Sequence, residues 1–148
     1  MPIVTDQGFT TDDFPSDQFL TPETIDAGGG RQAALEVAND FDPRTLVVHF
    51  NAVDLIVIVF PSFADGRGFS LAKLIRRLGY GGRLRAKGHV IADQYPLARA
   101  CGFDEVEIDD GLAARQPEAQ WLRVQATAGR QPSHALRARK APAAQRVQ

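Results

Sequence analysis

The stretch Leu55-Ile56-Val57-Ile58-Val59-Phe60 runs without a break into Pro61-Ser62-Phe63-Ala64-Asp65-Gly66-Arg67-Gly68-Phe69-Ser70, and that junction decides the fold. Successive apolar, mostly β-branched residues read as a strand covered on both faces, as in a parallel sheet, rather than as a half-wetted alternating strand. Parallel neighbours need crossovers, and the residues that follow supply one. A glycine-spaced polar turn leads to a helix, Phe69 to Leu78, whose apolar stripe of Leu71, Leu74, Ile75 and Leu78 recurs at three-and-four spacing and stops at Gly79. Lys73, Arg76 and Arg77 form its expected wet face.

The same alternation extends to both sides. Leu35 to Ala38 reads as a strand and Pro43 to Val53 as a helix started by Asp42-Pro43, with Leu46, Phe50 and Val53 on one face and His49 beside the core. After the Phe69 helix come a strand at Arg83 to Lys87, a helix at Gln94 to Ala100, a strand at Glu105 to Ile108 and a closing helix, Glu118 to Ala126, carrying Trp121 and Leu122. Strands alternating with helices of about ten residues imply β-α-β units. The expected fold is therefore α/β, with about four β-α units and a mostly parallel sheet, either open or half-barrel-like. A half-barrel would complete itself by pairing, so a homodimer belongs to the expectation.

Residues 34–126 form the expected single domain. Residues 1–33 read as an irregular acidic arm ending in the flexible joint Gly28-Gly29-Gly30, with Phe9, Phe14, Phe19 and Leu20 as its anchors, and residues 127–148 as a disordered basic tail. The first 30 residues hold six acidic and no basic side chains, and the last 30 hold six basic and no acidic ones, so the two ends attract each other. The tail's Arg137, Arg139, Lys140 and Arg146 lack interleaved aromatics, which argues against nucleic-acid binding. No run of eighteen apolar residues and no basic, apolar leader occurs, so neither a membrane partner nor export is expected, and the chain reads as cytoplasmic.

The turn after Phe60 is the expected site, because ligands of α/β sheets bind where strands end in carboxyl-side loops. Pro61, Gly66 and Gly68 shape the loop; Asp65 offers an acceptor, Arg67 a fork of donors and Ser70 a hydroxyl placed to cap the helix. A purely structural reading, with Asp65 paired to Arg67, uses the same residues. The third glycine of a dinucleotide fingerprint and the Gly-Lys-Ser/Thr of a triphosphate loop are both missing, so no nucleotide is expected. From Gly66 to Ala92 there are seven basic and no acidic residues. Among them Arg83, Arg85 and Lys87 alternate along one strand and face one side, either as guards of an exposed sheet edge or with Arg85 paired in a polar interior. His89 and Asp93 follow that strand, His89 as an acid, base or anion partner and Asp93 as its orienting group or as a helix cap. His49, His89 and His134 do not have the spacing of a metal site, and none is expected. The lone Cys101 precedes Gly102 at a helix end, where activation would have to come from Arg99 or His89; a buried structural role fits it better.

Taken together, Phe60-Pro-Ser-Phe-Ala-Asp-Gly-Arg-Gly-Phe-Ser70, Leu78-Gly-Tyr80, Leu84-Arg-Ala86, Gly88-His-Val90, Asp93-Gln94 and Cys101-Gly-Phe-Asp104 resemble a family of small, uncharacterised bacterial proteins. That family, a domain of unknown function, is often labelled as oxidoreductases of sulfite reduction, and the likeness spans about residues 35 to 110. The resemblance implies a pathway, assimilatory sulfate and sulfite reduction for cysteine biosynthesis, rather than a reaction, and it carries over no catalytic residue. The chain itself has no flavin signature, no cysteine pair and no cluster ligands, so no cofactor is expected. An accessory role fits: Arg67 and Arg85, with Ser70 and His89, bind a small oxyanion, or the basic face docks on sulfite reductase or another sulfur-pathway enzyme. The alternative is a small enzyme using Asp65, His89 and Asp93 for acid–base chemistry on a sulfur- or phosphate-containing metabolite.

Overall fold

The computed structural model describes residues 1–14, 19–21 and 33–128. Seven strands form one open sheet: β1 (Ile3–Thr5), β2 (Gly8–Thr10), β3 (Phe19–Leu20), β4 (Ala33–Val37), β5 (Val53–Phe60), β6 (Arg83–Gly88) and β7 (Glu105–Glu107). Their spatial order is β2-β1-β7-β6-β5-β4-β3, in which β3 to β7 run parallel and the β1–β2 hairpin adds two antiparallel strands beside β7. The crossovers are a 3-10 helix, η1 (Pro43–Ala52), and the α-helices α1 (Arg67–Arg77) and α2 (Tyr95–Cys101), the latter entered through a short 3-10 turn, η2 (Ala92–Gln94); α3 (Asp110–Arg115) and α4 (Glu118–Ala128) close the chain.

Successive parallel strands are added in one direction only, and with a constant crossover hand that places every connecting helix on the same face. The core shows it. Leu35 and Val37 of β4, Ile56, Ile58 and Phe60 of β5, Leu84 and Ala86 of β6 and Val106 of β7 cluster with Leu46 of η1, Leu71 and Ile75 of α1, Ala98 of α2 and Trp121 of α4. The opposite face is different. There, among the described residues, Ala34, Leu55 and Val57 gather Phe14 and Phe19 from the N-terminal segment, and the neighbouring positions along β6 and β7 are charged.

Several expectations change here. The first described residues are not an irregular arm: β1 and β2 extend the sheet past β7, β3 extends it past β4, and residues 11–14 lie over the face opposite α1 and α2. Short strands of three or fewer residues carry too little periodicity to stand out, and only the edges they find make them strands. The Phe60 junction leads into α1 two residues earlier than expected, at Arg67, so Ser70 lies inside the helix and caps nothing. The helix after Asp42 exists, with the Asp42 side chain accepting the Arg44 N–H, but it is wound as a 3-10 helix; Thr45, Val47 and Val48 are poor α-formers. Arg76 is not solvated: its guanidinium donates to the carbonyls of Tyr80, Gly82 and Gly102 and pairs with Asp104 at 2.8 Å, tying the end of α1 to the entry of β6. The glycine joint at 28–30 and the tail from 129 lie outside the described residues. Among the described residues no helix is long and apolar enough to cross a membrane.

Candidate functional site

The carboxyl ends of β4, β5 and β6 lie side by side, and the loops that leave them meet around Asp65. Phe60 closes β5 in the core with its ring against Phe69 and Phe103, at centroid distances of 5.0 and 5.8 Å. The chain then turns, Ser62 Oγ accepting the Ala64 N–H, and reaches Asp65. Asp65 accepts hydrogen bonds from the Arg67 guanidinium through both carboxylate oxygens, from the Arg67 backbone N–H at 3.1 Å and from Asn39 Nδ2 at 2.8 Å. These donors, the Arg67 side chain first, hold the Asp65 carboxyl well below the usual carboxylate range. A carboxylate so held is a poor proton acceptor. Its structural effect is to start α1 and to fix the fork of Arg67, whose side chain is still 63% exposed.

His89 follows β6 on the adjacent loop. Its backbone N–H and its Nδ1 both lie 3.1 Å from the Phe60 carbonyl oxygen. A carbonyl can only accept, so Nδ1 carries the hydrogen and Nε2 is the ring nitrogen left for a ligand. The ring stands edge-on to Phe63 at 4.8 Å, and Gly88 before it has φ +113°, where a Cβ would sit 2.7 Å from that same carbonyl oxygen. Gln94 links the third loop, accepting the Ile91 N–H and donating to the Phe63 carbonyl.

The structure thus brings Asp65, Arg67 and His89 to one strand-end region, shaped by Pro61, Gly66 and Gly68. Gly66 is the N-cap of α1 without a side-chain cap bond, and Gly68 is buried against the Phe60 ring. Ser70 is exposed one turn into α1. Asp93 is exposed and, among the described residues, makes no hydrogen bond or ion pair; Gln94, not Asp93, caps the turn there. Asn39, Phe63 and Gln94 were not legible as site residues, because each comes from a different loop; a polar residue right after the Leu35 strand was the available signal for Asn39.

Arg85 does not join this region. Its strand is central, between β5 and β7, which removes the edge-guard reading. Arg85 is 0% exposed on the face opposite α1 and α2, where Nε pairs with Glu105 at 2.7 Å, Nη1 with Glu107 at 3.1 Å and Nη2 lies 3.2 Å from Asp12. Arg83 is clamped between Glu105 and Asp13, with its guanidinium over the Phe14 ring, and Lys87 reaches Glu36 at 2.9 Å. Arg83 lowers the Asp13 carboxyl pKa, and the Glu36 bond raises that of the Lys87 ammonium. Of the seven basic residues between Gly66 and Ala92, Arg67, Arg76, Arg83, Arg85 and Lys87 are therefore neutralised by carboxylates from elsewhere in the chain. The acids missing from that stretch come from β4, β7, the N-terminal segment and the loops that carry Asp65 and Asp104.

Cys101 is buried at the end of α2, burial pushes its thiol pKa up, and Arg99 is committed to Asp6 at 3.0 Å. It has the features of a structural cysteine. Among the described residues no group of three or more His, Cys, Asp and Glu side chains is placed to hold a metal ion.

A singly wound sheet with its loop site at the strand ends defines the class. More specifically, residues 34–139, well over half of the chain, match the model of a family described as bacterial protein of unknown function (DUF934), and the chain belongs to that family. No curated protein and no solved structure gives a significant match.

Proposed function

We propose that this protein is an accessory factor of assimilatory sulfite reduction whose strand-end site, built on Arg67 and His89, binds a small oxyanion such as sulfite or sulfate, or an acidic patch of the sulfite reductase it serves. The observation that carries this reading is the state of Arg67: its guanidinium is held by Asp65 in the loop after β5, yet the side chain remains 63% exposed. A fork fixed in advance loses little entropy when it takes up a planar or tetrahedral oxyanion. The exposed N-terminal turn of α1 adds donors of the right sign, and His89, on a ring held by the Phe60 carbonyl, adds one at Nε2 in its imidazolium form, which carries a hydrogen on both ring nitrogens. The pathway rests on the resemblance of the strand-end motifs to proteins labelled for sulfite reduction. The acid–base alternative has less support, because Asp65 is held ionised by three groups of donors and Asp93 has no bond to His89.

Calorimetric titration of the full chain with sulfite and sulfate tests the site. Binding is expected, weakened at least tenfold in Arg67→Gln and several-fold in His89→Gln, with circular dichroism unchanged. Equal affinity in both variants would remove the site from these residues. If neither anion binds, co-purification with sulfite reductase decides between docking and no role: capture at low salt that is lost at high salt and in Arg67→Gln supports docking, and no capture ends the proposal.

A further inference from the structure

The face of the sheet opposite α1 and α2 holds a second, unrelated feature, a cleft of about 260 Å³ lined by Asp12, Phe19, Glu36, Lys87 and Glu107. Parallel sheets are ordinarily covered on both faces, yet here the second face offers charged side chains of both signs around an open space. The groups around it are incompletely used. Lys87 gives one of its three ammonium hydrogens to Glu36 Oε1. Glu36 and Glu107 each engage Oε1 only, and Asp12 engages Oδ1 only, so among the described residues the second oxygen of all three carboxylates has no hydrogen bond. Beneath them lies Arg85, 0% exposed, whose Nη1 and Nη2 are held beside Glu107 and Asp12, two of the cleft's walls. Nη2, wholly buried, already faces two carboxylates, Asp12 at 3.2 Å and Asp13 at 3.8 Å.

We propose that this cleft binds a small zwitterion carrying an ammonium and a carboxylate, of the α-amino-acid type. The three open carboxylate oxygens match the three N–H bonds of an ammonium. The two remaining ammonium hydrogens of Lys87 match a carboxylate, and Phe19 supplies an apolar wall for a short side chain. A simple oxyanion is disfavoured because Asp12, Glu36 and Glu107 outnumber Lys87 and Arg85. A simple cation leaves the remaining Lys87 hydrogens unmet. Asp12 and Phe19 belong to the N-terminal residues that precede the family match at 34, so this chain's own N-terminal segment completes the site.

The test is independent of the strand-end site. Thermal midpoints of the full chain are measured with each of the twenty standard L-amino acids, with acetate and with ethylammonium, at constant ionic strength, and hits are mapped by amide chemical shifts. At least one amino acid is expected to raise the midpoint in a saturable way while acetate and ethylammonium do not. The shifts should fall at residues 12, 19, 36, 87 and 107 rather than at 67 and 89, and the effect should disappear in Lys87→Met and in Glu36→Gln. That pair is partly exposed, at 36% and 39%, so both variants should fold. No response to any amino acid, a response that survives both variants, one reproduced by acetate alone, or one mapped to residues 67 and 89 would each overturn the proposal.

Discussion

Phe60 shows how much one residue can organise at this site. Its ring fills the core against Phe69 and Phe103, while its carbonyl accepts both the backbone N–H and the Nδ1–H of His89. The two glycines of the following turn serve it unequally. A Cβ on Gly66 would meet only a Phe69 ring carbon at 3.9 Å, whereas a Cβ on Gly68 would run into the Phe60 ring, with Cε1 at 2.7 Å. Gly66→Ala is therefore expected to be nearly neutral, and Gly68→Ala to cost about 1–3 kcal/mol by overpacking, as read from urea midpoints. Tyr95 makes a second residue-scale case. Its hydroxyl donates to Asp6 at 2.8 Å inside the core, and burial, followed by the Asp6 charge, pushes the phenol pKa up. A folded-state pKa above the ordinary value near 10 stabilises the fold fully below that pH and less as pH rises past it. The wild type should lose stability in alkali above about pH 10, and Tyr95→Phe, weaker at neutral pH by about 1.5 kcal/mol, should lose less of it there.

At the scale of elements, β6 and β7 are matched by charge as well as by hydrogen bonds. Register places Arg85 beside Glu105 and Lys87 beside Glu107, while Ala86 and Val106 face the helices. The N-terminal residues add Asp12 and Asp13 from above, and Phe14 packs edge-on with Phe19 at 6.4 Å. This explains why Arg85 is unsuited to testing anion binding. Its removal leaves Glu107 buried without its hydrogen-bonded partner and Glu105 with Arg83 alone, so Arg85→Leu should lower stability by about 3–5 kcal/mol and, with it, the thermal midpoint. A loss below about 1 kcal/mol would mean that water readily reaches those carboxylates.

Across the whole molecule, the parallel core was legible because its signals are local. The apolar run at 55–60, the amphipathic spacing at 71–78, the stop at Gly79 and the Asp42-Pro43 start each belong to one element and survive without their neighbours. The strand-end region was half legible: Asp65, Arg67 and His89 follow strands, and any residue in that position is a candidate. Asn39, Phe63 and Gln94 were not, since loops from separate crossovers had to be brought together first. The amino-acid sequence by itself determined the β-α alternation, the position of the turn after Phe60 and the family, because periodicity and turn chemistry are properties of contiguous residues. Only the tertiary structure decided that the seven basic residues between Gly66 and Ala92 are largely neutralised, that Arg85 lies buried away from Arg67, and that the described N-terminal residues are strands and cover. Those outcomes depend on which carboxylates the sheet order and register place within ion-pair reach, and charge pairing at long sequence separation leaves no local periodicity to read.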